Sequence, residues 1–169
     1  MLTKKIKAFT LAEILVTLAL TSIVATFSFM GYTLIQKLLK QYNDQNFFIT
    51  QINALNNRIH LMVSQHGTIL KESENKFVFS SDTTLSFITF NNNSVLLNRF
   101  NKTDTFKLKP EKLNAQFEPI KNPDWQNKMV NAFEFDIYFQ EQRFHLAFNK
   151  NYDAYSKLLI EKENKTWLQ

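Results

Sequence analysis

The pattern of apolar and polar positions changes twice along this chain. From Phe9 to Met30 nearly every residue is apolar or small. From Leu34 to Val63 apolar residues recur at steps of mostly three, four or seven, and from Asn75 onward the runs are short and alternating. The first texture predicts a helix of roughly 33 Å, at about 1.5 Å per residue, long enough to cross a bilayer core. The second has no Pro and no Gly and sets Ile35, Leu38, Tyr42, Ile49, Ile52, Ile59 and Val63 at helical spacing. A coiled coil fits that spacing; a continuation of the first helix, its far half packed on a sheet, fits it better. One helix from Phe9 to Gln65 is therefore predicted, with Gly67 as its stop.

The third texture predicts strands at Lys76–Ser80, Thr84–Phe90 and Val95–Phe100. Asn91-Asn92-Asn93 suits a turn, because Asn tolerates the left-handed conformation. Thr105–Lys109 and Ala115–Ile120 add two more strands, and Pro110, Pro119 and Pro123 mark loops. Phe133, Phe135, Ile137 and Phe139 alternate with polar residues, as do Phe144, Leu146 and Phe148 after a turn near Glu141. They predict a hairpin between Asn131 and Asn149, one face on the helix and one in water. Asp153 to Lys162 would close the chain with a short helix. The fold class is α+β: a long N-terminal helix, half membrane-spanning and half soluble, packed on an antiparallel β-sheet.

Composition sharpens this in two places. Seventeen Phe, most of them after Phe47, supply the apolar area for one compact core. There is no Cys, which excludes thiolate metal sites and Cys nucleophiles and leaves an exported domain without disulfides. The net charge is +5, but Lys4, Lys5 and Lys7 precede the apolar segment with no acid among them, and without them the balance falls to +2. The basic excess is thus partly a topology signal, holding the N-terminus in the cytoplasm and placing everything after Tyr32 outside the cytoplasmic membrane. No basic stripe interleaved with aromatics follows, so nucleic acid is not expected as a partner.

Little else carries chemistry. His60, His66 and His145 sit in no metal-binding spacing and read as surface histidines. No nucleophile-elbow sequence supports a triad, and two glycines leave no phosphate-cradling loop. The Asn-x-Ser/Thr triplets at Asn92, Asn101 and Asn164 read as unmodified surface loops. No compact Asp/Gly loop offers a calcium site. The expectation is a protein without catalytic residues, metal, cofactor or small-molecule substrate, and not an enzyme.

Glu13 is the exception. A carboxylate costs about 2.5–3.5 kcal/mol at mid-membrane and less near its edge, so one inside an apolar segment marks function. A cleaved secretory signal does not account for it: the run is too long, and near Ala25 the position wanting a small residue holds Ile23. A plain anchor leaves Glu13 unexplained. Thr10, Glu13, Thr17, Thr21, Ala25, Ser28 and Gly31 follow one another at steps of three or four and share one side of a helix. Small and hydroxylated residues on one side let helices approach closely in lipid.

Ala8-Phe9-Thr10-Leu11-Ala12-Glu13, followed by ILVTLAL, resembles the processing and assembly motif of type IV prepilins and type II secretion pseudopilins. The resemblance covers about the first thirty residues and, more loosely, the helix continuing to about residue 65. It implies a leader at 1–8, a membrane and assembly half of the helix at 9–31, a soluble half at 32–66 and a β-rich periplasmic domain at 67–169. A prepilin peptidase would cut between Ala8 and Phe9 and methylate the new amine of Phe9. Glu13, the fifth residue of the product, would help assemble the subunit into a filament with other major and minor pseudopilins. The new amine, with a reference pKa of about 7.7–8.0, is largely protonated near neutrality and is a natural partner for a neighbour's Glu13.

Two departures bear on the subtype. The family usually has Gly before the cut, where this chain has Ala8. Major subunits commonly carry a Pro some twenty-two residues into the mature chain, where this chain has Met30. The second favours a minor subunit, and the size, the retained Glu13 and the strand-rich tail resemble the J-type of a type II secretion pseudopilus. A minor type IV or competence pilin shares all of these residues, and a membrane-anchored binding domain that never polymerises is the alternative from another class.

Overall fold

The structure is a computed structural model and describes residues 10–81, 84–99, 102–120, 128–139, 141–154 and 157. Its elements are α1 (Leu11–Gln65), β1 (Thr68–Ser73), β2 (Lys76–Ser80), β3 (Leu85–Asn91), β4 (Ser94–Arg99), β5 (Lys102–Phe106), β6 (Pro110–Phe117), β7 (Val130–Phe139) and β8 (Gln142–Asn149). The fold is α+β, one long apolar N-terminal helix with antiparallel β-structure. The chain divides into two compact units, Met1–Phe47 and Phe48–Gln169.

In the first unit, α1 is exposed at every described position from Thr10 to Phe47. In the second, α1 becomes amphipathic. Ile52, Leu55, Ile59, Met62 and Val63 are buried, recurring at helical spacing, and Phe48 stacks on Phe139 with ring centroids 4.1 Å apart. The residues of the predicted soluble half thus part company. Ile52, Ile59 and Val63 enter the core, whereas Ile35, Leu38, Tyr42 and Ile49 are exposed. Packing begins at Phe48, well beyond Tyr32.

The helix ends after Gln65 and is closed by side chains. Lys150 Nζ donates to the carbonyls of Val63 (2.9 Å) and His66 (2.7 Å), satisfying acceptors that the last turn leaves open. Burial holds the Lys150 ammonium below the usual lysine range. His66, expected at the surface, is 3% exposed. Its Nδ1 lies 2.8 Å from the Met62 carbonyl and its ring meets Phe79 edge-on, so the helix end draws it into the core.

Two antiparallel sheets replace the single sheet expected, one of five strands in the order β1-β2-β3-β4-β5 and one of three in the order β6-β7-β8. They meet where β1 takes over from β8 alongside the start of β7. Asn131 accepts from Lys150 N–H, while two or three residues earlier Leu70 bridges Met129 and Lys71 N–H donates to Lys128. Tyr152 holds this junction. Its buried hydroxyl accepts from Ile69 N–H (3.1 Å) and donates to the Val130 carbonyl (2.7 Å). Burial pushes the phenol well above the usual tyrosine range, so it remains a donor.

The main core lies on one face of both sheets, with Phe77, Phe79, Phe133, Phe135 and Phe148 fully buried beside the helix. On the opposite face of β1 and β2 a second cluster joins Leu70 and Val78 to Ile120, Met129 and Tyr152. The predicted hairpin forms as read, with Phe135 opposite Leu146 and Phe139 opposite Gln142.

Other strands differ from expectation. β1 was not anticipated. β5 spans Lys102–Phe106 rather than Thr105–Lys109, because the chain turns away at Lys107, whose N–H donates to Gln51 on α1. β6 spans Pro110–Phe117 rather than Ala115–Ile120. Pro110 opens it instead of marking a loop, which an edge strand tolerates at its first residue. The pairing of β6 slips between Glu111 and Asn114, where Lys112 has φ 55°, a bulge in the left-handed region. The Asn92-Asn93 turn between β3 and β4, by contrast, uses no positive φ. Most of the closing helix expected at Asp153 to Lys162, the Pro123 loop and the triplets at Asn101 and Asn164 lie outside the described residues.

Candidate assembly site on the N-terminal helix

The start of α1 organises around two side chains. Thr10 is the residue before the helix, and three positions later Glu13 occupies its first turn. Glu13 Oε2 accepts from Thr10 N–H (2.9 Å) and from Thr10 Oγ1 (3.0 Å), while Glu13 N–H donates back to Thr10 Oγ1 (3.3 Å). This is a reciprocal capping box, satisfying amides that a helix start otherwise leaves orphaned. A carboxylate there also suits the positive end of the helix dipole. The signature, Thr-x-x-Glu before an apolar run, is legible in the sequence itself. Capping gives that carboxylate hydrogen-bond partners within its own chain.

The hydroxyls of the stripe are likewise satisfied within α1. Thr17 Oγ1 donates to the Glu13 carbonyl (2.7 Å), Thr21 to Leu18 (3.0 Å) and Ser28 to Val24 (2.8 Å). Ser22 and Thr26, on the other side, do the same with Ala19 and Ser22 at 2.8 Å each. Back-bonded hydroxyls need no neighbour in hydrocarbon, so the stripe contributes small size rather than free donors. At Gly31 an added Cβ would meet nothing within 4 Å, so the chain's own packing does not require glycine there. Ala25 is exposed on α1. Ala8 and Phe9 of the expected cut, and Lys4, Lys5 and Lys7, lie outside the described residues.

A polar cluster lies on the β7–β8 hairpin of the second unit. On the solvent-facing side of the hairpin Asp136, 2% exposed, accepts at Oδ1 from Arg143 Nε and His145 Nδ1, both at 2.9 Å. His145 Nε2 lies 3.5 Å from Glu134 Oε2, and Glu134 also accepts from Asn114 (3.2 Å). His145 is exposed, as expected, but engaged. His60 is exposed and meets Phe148 edge-on at 4.9 Å. Among the described residues no three His, Cys, Asp or Glu side chains converge as metal ligands would. Asn92 stands exposed in the β3–β4 turn.

The geometry defines a chain whose first unit is a capped apolar helix, long and apolar enough to cross a membrane, and whose second is a compact α+β unit. The prokaryotic N-terminal methylation motif matches residues 3–29, which supports a type IV pilin-like prepilin motif at this N-terminus and a member of the type IV pilin and pseudopilin family. That motif implies processing by prepilin peptidase and assembly into pilus-like filaments. No curated protein and no solved structure matches the chain.

Proposed function

We propose that this protein is a minor pseudopilin of a type II secretion system, a structural and non-catalytic subunit at or near the tip of a short pseudopilus that moves folded proteins across the outer membrane. The observation that carries the reading is Glu13, fifth after the expected cut, already ordered by Thr10 at the head of an unbroken apolar helix. Cleavage between Ala8 and Phe9 would place a methylated ammonium at Phe9, one residue before the Thr10 cap. In the filament a neighbour's ammonium competes for the carboxylate that Thr10 holds in the single chain. A charged pair displaces two hydrogen bonds there because unpaired charge is costlier in lipid than in water.

The minor role draws on Met30, which stands where major subunits carry Pro; α1 passes through it as continuous helix. The strand-rich tail and the retained Glu13 favour the J-type. The domain lies in the periplasm and the N-terminus in the cytoplasm, with the inner membrane between them. Partners are the prepilin peptidase and other pseudopilins.

Mass spectrometry of the N-terminus from native membranes tests the class, with N-methyl-Phe9 expected. An intact Met1 in cells with active peptidase would sink it. Deleting the gene tests the machine. Proteins should fail to reach the medium while DNA uptake and surface motility persist, and the reverse pattern would assign the chain to a competence or type IV pilus.

A further inference from the structure

The outward face of the three-stranded sheet holds a buried carboxylate where alternation would leave a wet one. Asp136 Oδ1 accepts from Arg143 Nε and His145 Nδ1, while its Oδ2 is buried without a hydrogen-bond partner. A buried charge is a costly way to add stability. What it does here is fix Arg143. The contact uses Nε alone, so both Nη nitrogens of a side chain that is 53% exposed point beyond it. A guanidinium held by Nε and open at its Nη pair is set to grip a second carboxylate with two parallel bonds.

Two neighbours extend this feature across the sheet. Tyr138, 36% exposed, stands directly opposite Arg143 in the β7–β8 ladder. From β6, Lys112 places its Nζ 6.0 Å from the centre of the Tyr138 ring. Lys112, Tyr138 and Arg143 thus form a row over three strands, a cation on either side of one aromatic ring. The row is held under strain. Lys112 sits in the bulge of β6 with φ 55°, where glycine would make the same bend freely. What lysine adds at that bend is its ammonium. The acids close by are engaged elsewhere, Glu111 with Lys109 (2.8 Å) and Glu134 with Asn114 and His145, and Lys112 forms no ion pair among the described residues.

We propose that the Lys112–Tyr138–Arg143 row docks an acidic segment of a partner protein, with one carboxylate on the Arg143 fork, another on Lys112 and an apolar contact on the Tyr138 ring. Arg and Tyr are the residue types that dominate binding hot spots, and a fixed Arg loses little freedom on binding. Two cations set among Glu134, Asn114 and Gln116 do not make the broad basic field that an anionic membrane surface requires. The row belongs to the second unit, so it stands apart from any use of the N-terminal helix.

A labelled hexaglutamate peptide, with hexaglutamine as its control, is titrated with the full chain in detergent. Replacing both Lys112→Gln and Arg143→Gln should weaken hexaglutamate binding at least about tenfold. Replacing both Lys102→Gln and Lys107→Gln removes the same charge elsewhere on the domain and should weaken it less than about twofold. Lys112→Gly relieves the strained bend, so it should melt at or above the parent chain and still bind more weakly. Melts of the same samples separate lost binding from lost folding. No binding of hexaglutamate by the parent chain, equal loss from the two double replacements, or a Lys112→Gly chain that melts lower or binds as well as the parent would each overturn the proposal. Binding of inorganic phosphate at the row without binding of hexaglutamate would overturn it too.

Discussion

Asp136 lies on the side of β7 that alternation assigns to solvent, yet cross-strand His145 and nearby Arg143 cover it almost completely. The His145 hydrogen bond, followed by the hydrogen bond and charge of Arg143, holds the Asp136 carboxyl below the usual aspartate range against the opposing effect of burial. Its folded pKa therefore lies below the unfolded value of about 3.9. The unfolded chain takes up this proton first, so Asp136 contributes stability above about pH 4 that is lost as pH falls through the folded value. Thermal melts of the full chain in detergent, from about pH 5 down to about pH 2, should show this as a loss that Asp136→Asn lacks. Parallel slopes for the two proteins would remove Asp136 from the account. At this scale legibility depended on whether a residue's role is local. The position of Glu13 could be read from the sequence because lipid makes a charge conspicuous, and its cap could have been, because Thr-x-x-Glu is a local signature. The burial of His66 and Asp136 could not. Each depends on neighbours brought in by tertiary folding, the end of α1 in one case and strand β8 in the other.

Among the elements, the β7–β8 hairpin was legible because one face is buried and the other wet, which writes a period of two into the sequence. β1 was not, because both of its faces are covered. Ile69 joins the main core and Leu70 the second cluster, so consecutive residues are buried and the alternation disappears. The same coverage makes Tyr152 important. Its hydroxyl is the polar link between β1 and β7 at the seam of the two sheets, in surroundings from which water is excluded. Tyr152→Phe keeps the ring and strands a buried N–H of Ile69 and a buried C=O of Val130. It should lower stability by about 1–3 kcal/mol. Denaturant unfolding of both proteins in the same detergent measures this, and a difference within error would show that the sheets hold together without the hydroxyl.

The whole molecule divides its labour at Phe48. Before it, α1 buries nothing of its own and carries Glu13, the small-residue stripe and exposed apolar residues from Tyr32 to Tyr42. After it, α1 supplies Ile52, Leu55, Ile59, Met62 and Val63 to a core shared with the two sheets. If the division is energetic as well as geometric, the second unit should fold without the first. A chain cut to residues 44–169 keeps every buried helix residue, and its new helix start carries Asp44, a favourable charge at the positive end of the dipole. This shortened protein should be soluble and should melt cooperatively, within about 5 °C of the domain transition of the full chain. Leu55→Ala in the same background removes a fully buried side chain and should lower stability by about 2–5 kcal/mol. A shortened chain with no cooperative transition would mean that residues before Asp44 stabilise the domain, and their exposure in the single chain would then have to be explained by something other than partners.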